Sequence, residues 1–304
     1  MIARSFRVPA ALVALLLAAW LVMRGMVDDL GRLADGGANL RVFVKESLFP
    51  PDWSVLQPRS YPECGVDAPW LGFTCSTAWI GMLETLKIAF VSTVLGMLIS
   101  MPLALLSNRN QNPDWIALPV RLMLAGARTL PSIIWAILFV ILIGLGPLAG
   151  ILAMTVYTVG YLGKLQYEAM EGVARPPLEA MHAMGASWFE RSFAVVLPET
   201  ANALISQAIF MFEYNVRHGT VIGIVGAGGI GYYINLYLRF LQYDKVVAYL
   251  IIIFVVVALL DLASIRARRL FTERDDVRRP RWWTVLVPSS MLHGASSPSS
   301  GSEG

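Results

Sequence analysis

The sequence predicts an all-α integral membrane protein with six transmembrane helices, and three observations lead there. Hydrophobic residues make up 56% of the 304 positions and charged residues only 15%, with a mean hydropathy of +0.61. A water-soluble globule of this length does not show that balance. Apolar runs near 8–27, 82–106, 117–143, 148–167, 199–225 and 245–265 match the roughly 20 residues that a helix needs to cross the hydrocarbon core. Lys and Arg residues mark the ends of the runs that remain on the cytoplasmic side.

The first run follows Arg4 and Arg7, which hold the N-terminus inside. Trp20, Met23, Arg24 and Met26 stand where a cleaved leader needs small residues, so the run reads as a retained helix spanning 1–27. Residues 28–78 form an extracytoplasmic loop in which acidic residues outnumber basic ones. Within it, Leu40, Val42, Phe43, Val44, Leu48 and Phe49 are interrupted by Arg41, Lys45 and Glu46 and stop at Pro50-Pro51. That pattern is a short helix lying on the membrane surface, with Trp53 as its anchor. Both cysteines, Cys64 and Cys75, share this loop, on the side of the membrane where disulfides persist. A bridge between them would contribute about 2–3 kcal/mol through the loop it closes; two thiols too far apart to pair is the alternative.

The third run carries Arg121 and Arg128 seven residues apart before Pro131 breaks the backbone. Because a charge at mid-bilayer is costly, residues 117–130 read as an entry that snorkels or packs on protein, with Ser132 to Ile143 as the deep part. Gly144 to Pro147 form the outer turn, and Gly150, Gly160 and Gly163 allow close helix packing. In the fifth run Glu213, Asn215, Arg217 and His218 lie 15 to 20 residues beyond Pro198, which counts to the middle or outer half of the bilayer at about 1.5 Å per residue. Glu213 and Arg217 have the spacing and order of an intrahelical ion pair. Either that pair locks helix to helix, or Asn215, Arg217 and His218 face a water-filled path and offer donors to an anion.

Gly226 to Gly231 formally satisfy G-x-G-x-x-G, but no βαβ unit surrounds them. Non-helical backbone at membrane depth survives where protein buries it or water wets it, so the string breaks the helix beside a path, and its free amides could meet an anion. The last span ends in arginines from Arg266 to Arg281, which return the C-terminus to the cytoplasm, and the Ser-, Gly- and Pro-rich residues from about 285 read as disordered.

Between the fourth and fifth runs lies Glu179-Ala180-Met181, three residues, Gly185-Ala186, and then Val195-Val196-Leu197-Pro198. Gly185 permits a reversal with positive φ, Trp188, Phe189 and Phe193 are apolar anchors, and Pro198 would open the next helix. The stretch resembles the EAA loop of ABC-importer permeases, with Met181 and Val195 as departures; the bland alternative is a helical hairpin without a partner. Phe212 to Arg217, followed by Thr220, Gly223 and Val225 to Gly231, resembles the permease subunit of phosphonate importers, as do Phe49 to Ser54 and Gly144 to Gly150. The similarity extends over most of residues 40–265.

This resemblance implies a type I ABC importer permease fold of the methionine-importer kind. It implies a homodimer in the bacterial cytoplasmic membrane, two cytosolic ABC ATPase subunits, and an extracytoplasmic binding protein that delivers phosphonate or a related small phosphorus oxyanion. The permease core would be 79–265, with a cytoplasmic coupling loop at 168–198 and a cytoplasmic polar tail at 266–304. Coupling would fall to Glu179, Ala180, Met181, Gly185, Ala186, Leu197 and Pro198. The path or gate would involve Glu213, Asn215, Arg217, His218, Thr220, Gly226, Gly228, Gly229 and Gly231. The chain lacks G-x-x-x-x-G-K-[ST], so ATP and Mg would be bound by the ATPase partner, with no cofactor or metal here and no nucleic acid. Permeases for methionine or phosphate and an ATPase-independent carrier are the alternatives. A membrane enzyme would need a catalytic constellation, and His182, His218 and His293 have no metal-ligand or Ser-His spacing.

Overall fold

A computed structural model of the chain describes residues 7–26, 36–37, 40–58 and 72–271, and its elements are helical throughout. Arg4, Cys64 and the tail beyond 271 lie outside the described residues. Helix α1 (Arg7–Met26) is exposed from Ala11 to Met26. The predicted surface helix is present from 40 and widens into a π turn at Val44–Leu48. Helix α2 (Thr77–Ser107) starts at Ser76, whose hydroxyl accepts a hydrogen bond from the Trp79 amide at 3.2 Å.

Helices α3 (Asp114–Thr129) and α4 (Ser132–Ile143) meet at an 85° bend. Pro131 has no amide to donate and forces Leu130 into an extended conformation, which ends α3. Gly144 and Gly146, at φ 95° and 136°, then turn the chain into α5 (Pro147–Glu171). Beyond it come α6 (Arg175–Ala183), α7 (Trp188–Arg191), α8 (Leu197–Ile222), α9 (Ile230–Arg239) and α10 (Tyr243–Phe271).

Each predicted apolar run returns as helix, but only four described helices are separately long and apolar enough to cross a membrane: α2, α5, Trp188–Val225 and Tyr243–Arg268. The third run passes that test only as the bent pair, and Ala11–Met26 is a shorter apolar helix. With 12 residues, α4 covers about 18 Å, well short of the roughly 30 Å hydrocarbon core.

Helix α5 sits at the centre, against α2, α3, α4 and α8. At its crossing with α3 a Cβ on Gly160 would stand 2.8 Å from both the Arg128 amide nitrogen and the Leu124 carbonyl oxygen. The two backbones therefore touch, the packing that small residues permit in membranes. Of the two ways the sequence offered for Arg121, packing on protein is the one observed. Its guanidinium donates to the Ser107 carbonyl at 2.8 and 2.9 Å, pairs with Glu171 and lies over the Tyr167 ring. It thereby caps the C-terminus of α2, where a cation meets the negative end of the helix dipole.

Outside the spans, the Asp52 carboxylate caps the turn Trp53–Leu56. The Ser54 amide holds it below the usual aspartate range, and the Ser54 hydroxyl and Lys245 add to this against the opposing effect of burial. Because the folded value is depressed, the contribution is present above the unfolded value and is lost as pH falls through the folded one. The protection factor of the Ser54 amide is expected to stay high at neutral pH and to fall only in acid below the usual aspartate range, whereas Asp52→Ala should abolish that pH step. Cys75 is disulfide-bonded.

Candidate functional site

The predicted coupling loop is a preorganised helix–turn–helix. Helix α6 ends in Gly185 at φ 77°. The Ala186 amide donates to the Met181 carbonyl at 3.0 Å and the Gly185 amide to the His182 carbonyl at 3.0 Å, so the turn is a Schellman motif with glycine in the left-handed position. The next helix opens on a capping box, with Ser187 and Glu190 each accepting the other's backbone amide. Leu178 is buried with Ala104, Leu105, Met170, Val196 and Leu204, which ties α6 to the ends of α2, α5 and α8. Glu179, Ala180 and His182 remain exposed, and Met184 and Phe189 are 73% and 67% exposed, unusual for large apolar groups without a partner.

Pro198 stands in the first turn of α8, as expected, although α8 continues an earlier helical path. The helix is already continuous from Trp188 to Val225, and a π turn at Ser192–Val196 immediately precedes the proline. Its wider hydrogen-bonding register, with the Leu197 amide donating to the Ser192 carbonyl, absorbs the proline's missing donor and ring. This helix of 38 residues is about 57 Å long. Glu213 lies level with Arg268, near the C-terminal end of α10.

The expected Glu213–Arg217 pair is absent. Glu213 accepts from Arg268 at 2.6 Å and Arg217 donates to Asp261 at 2.5 Å, so both charges bridge α8 to the antiparallel α10. A facing helix offered each side chain a counter-charge within reach, and that tertiary partner displaced the weak helical neighbour. Asn215 faces inward instead of toward a path. It is buried, and its amide donates to Thr93 on α2 at 2.9 Å and Thr158 on α5 at 3.0 Å. Replacing it with Leu is expected to lower stability by about 1–2 kcal/mol, as measured by a thermal shift in detergent, because two buried hydroxyls lose their donor. Thr220 donates to the Arg217 carbonyl at 2.6 Å.

The glycine string breaks the helix as expected, through a 3-10 turn at Gly223–Val225 and positive φ at Gly226, Gly228 and Gly229. It does not form an open anion nest. Residues 227–231 are buried, and the Ile230 amide donates to the Thr85 hydroxyl at 2.9 Å. A Cβ on Gly228 would stand 3.1 Å from Pro147 and 3.0 Å from Glu84 Oε1. The string is a close-packed joint between α2, α5 and α8. Thr85 and Glu84 went unmarked in the sequence because only the fold brings them to the glycines.

Sequence reasoning also missed a stack of rings along the α5–α8 seam. Tyr157 and Tyr161 of α5 lie against Phe210, Tyr214 and His218 of α8, with centroids 3.8 to 6.5 Å apart and planes inclined by 10° to 34°. The Tyr157 and Tyr214 hydroxyls are 2.9 Å apart. Spacings of four residues on each helix are visible in sequence, but the register that interleaves them is not.

Residues 92–274 match the family described as binding-protein-dependent transport system inner membrane component. The chain is 36% identical over 217 residues to the phosphate-import permease protein PhnE of Mycolicibacterium smegmatis, an alignment covering 69% of this chain and 38% of that relative. It is 32% identical to the putative phosphite transport system permease protein HtxC of Stutzerimonas stutzeri, over 89% of this chain and 88% of the relative. With the phosphite transport system permease protein PtxC of the same organism the identity is 34%, over 82% of each. Among solved structures, an inward-facing MetNI methionine ABC transporter chain is similar with a TM-score of 0.56 and 27% identity, covering 64% of this chain and 97% of that one.

Proposed function

Because this chain belongs to the family of binding-protein-dependent transport system inner membrane components, with the type I ABC importer permease fold, we propose that two copies of it form the path by which an ATP-driven importer moves a small phosphorus oxyanion. Two cytosolic ABC ATPases dock on the 175–190 turns and hold the ATP and Mg. An extracytoplasmic binding protein delivers phosphonate, phosphite or phosphate from the opposite face. The membrane is the bacterial cytoplasmic one, with both termini inside. Closure of the ATPases moves the turns and rocks the helices about the path, a rigid-body transition.

The observation that carries this reading is the coupling turn. Its Schellman glycine and capping box hold Met184 and Phe189 outward as an apolar pair ready for a groove on a partner. The oxyanion class is supported by relatives whose names specify phosphate and phosphite. Mass spectrometry of the ligand retained by the binding protein that docks on this chain tests it. A phosphonate, phosphite or phosphate is expected. Choline, the substrate in the name of a 24% identical permease of Bacillus subtilis, or methionine would refute the oxyanion assignment.

A further inference from the structure

The seam between α5 and α8 carries the ring stack in an antiparallel register. Tyr157 meets His218 and Tyr214, Tyr161 meets Tyr214 and Phe210, and one turn further along Gln207 donates to the Leu165 carbonyl at 3.1 Å. The rungs from 157 to 165 extend over about 12 Å of helix. Each ring is partly exposed, so the stack has an open edge. We propose that this edge is a binding surface for a singly protonated tetrahedral phosphorus oxyanion in transit, an inference that rests on the transport reading above.

Ring electrostatics choose the sign of the ligand. Where rings stack face to face, as Tyr214 and His218 do with centroids 3.8 Å apart, the electron-rich faces between them are covered and the electropositive rim stays open. A quaternary ammonium needs open faces, and the 3.8 Å Tyr214–His218 contact closes one face of each of those two rings.

Hydrogen-bond accounting points the same way. Tyr161 Oη has no partner among the described residues, so its proton is free to donate. In the Tyr157–Tyr214 hydroxyl pair one proton is spent between the two oxygens and the other is left over. His218 Nδ1 lies 3.1 Å from the Tyr214 carbonyl, which can only accept. In the neutral ring Nε2 is therefore an acceptor, suited to the P–OH of a singly protonated oxyanion. The nearby cations are already neutralised, Arg217 by Asp261 and Lys164 by Glu168. Neutral donors can replace part of an anion's hydration and still release it, as conduction requires. Hydroxyls facing hydrocarbon would instead go unsatisfied, which argues against a lipid-facing role for this edge.

The test uses the full transporter, this chain with its ATPase and binding protein, reconstituted in vesicles and assayed with labelled phosphite. Tyr157→Phe/Tyr161→Phe/Tyr214→Phe keeps every ring and orphans no partner, because the two paired hydroxyls leave together. Binding-protein-stimulated ATP hydrolysis should stay within about twofold of the parent while phosphite uptake falls about tenfold, equivalent to one or two neutral hydrogen bonds. Uptake at the parent's rate by the triple variant, in vesicles where the parent imports phosphite, would overturn the binding surface and leave the transport reading intact. A parent that imports choline or methionine and no phosphorus oxyanion would instead remove the transport reading, and the proposal with it. Should the triple variant fail to assemble, Tyr161→Phe alone, which breaks no protein contact, carries the test. A fall of about threefold supports the proposal and an unchanged rate refutes it.

Discussion

A transporter carrying Gly185→Val is expected to insert and assemble normally yet lose more than about nine-tenths of its ATP-driven uptake. The turn holds Gly185 at φ 77°, where a β-branched residue is strained by about 1–3 kcal/mol. Nothing lies within 4 Å of where its Cβ would stand, so the strain stays in the turn and does not spread to the spans. Relief would open the Ala186–Met181 and Gly185–His182 hydrogen bonds and move Met184 and Phe189 out of register for an ATPase. Gly185→Asn, which tolerates the left-handed region, should retain much of the activity. The comparison is made with uptake and binding-protein-stimulated hydrolysis in vesicles. Unimpaired coupling in the Val variant would show that the turn does not transmit ATPase closure.

Gly231→Ala is expected to cost about 3 kcal/mol or more and to prevent recovery of folded protein in detergent. Its added methyl would overlap the Thr220 carbonyl oxygen and stand 3.0 Å from the Gly223 α-carbon, and backbone atoms cannot rotate away. Gly126 is the matched control, with nothing within 4 Å of a Cβ. Gly126→Ala should leave the melting temperature unchanged or raise it slightly, because alanine is the better helix former. A normal melting profile for Gly231→Ala would mean that the joint between α8 and α9 is looser than the structure shows.

What was legible in the sequence is what the bilayer imposes on it. A helix in hydrocarbon must be apolar over a set length, so the runs, the break at Pro131 and the glycine turn at 144–147 could be read without coordinates. Local caps were equally readable, since Gly185 and its neighbours form their motif within six residues. The charge partners were not. Glu213 and Arg217 find Arg268 and Asp261, 55 and 44 residues away, and a helical spacing rule sees only its own helix. Asn215 looked like a path residue because a polar group in a span invites a functional reading, whereas Thr93 and Thr158 on two other helices satisfy it. The glycine string looked like a nest because its packing partners, Thr85 and Pro147, come from remote segments. The ring stack stayed hidden for the same reason.

The coupling of ATP hydrolysis to oxyanion import through this chain is tested most directly by uptake of labelled phosphite into vesicles containing the chain, its ATPase and internal ATP, with binding protein added outside. Accumulation against a gradient that requires ATP, the binding protein and an intact Gly185 turn is expected. Phosphite entry at the same rate without ATP or without the ATPase subunit would contradict it.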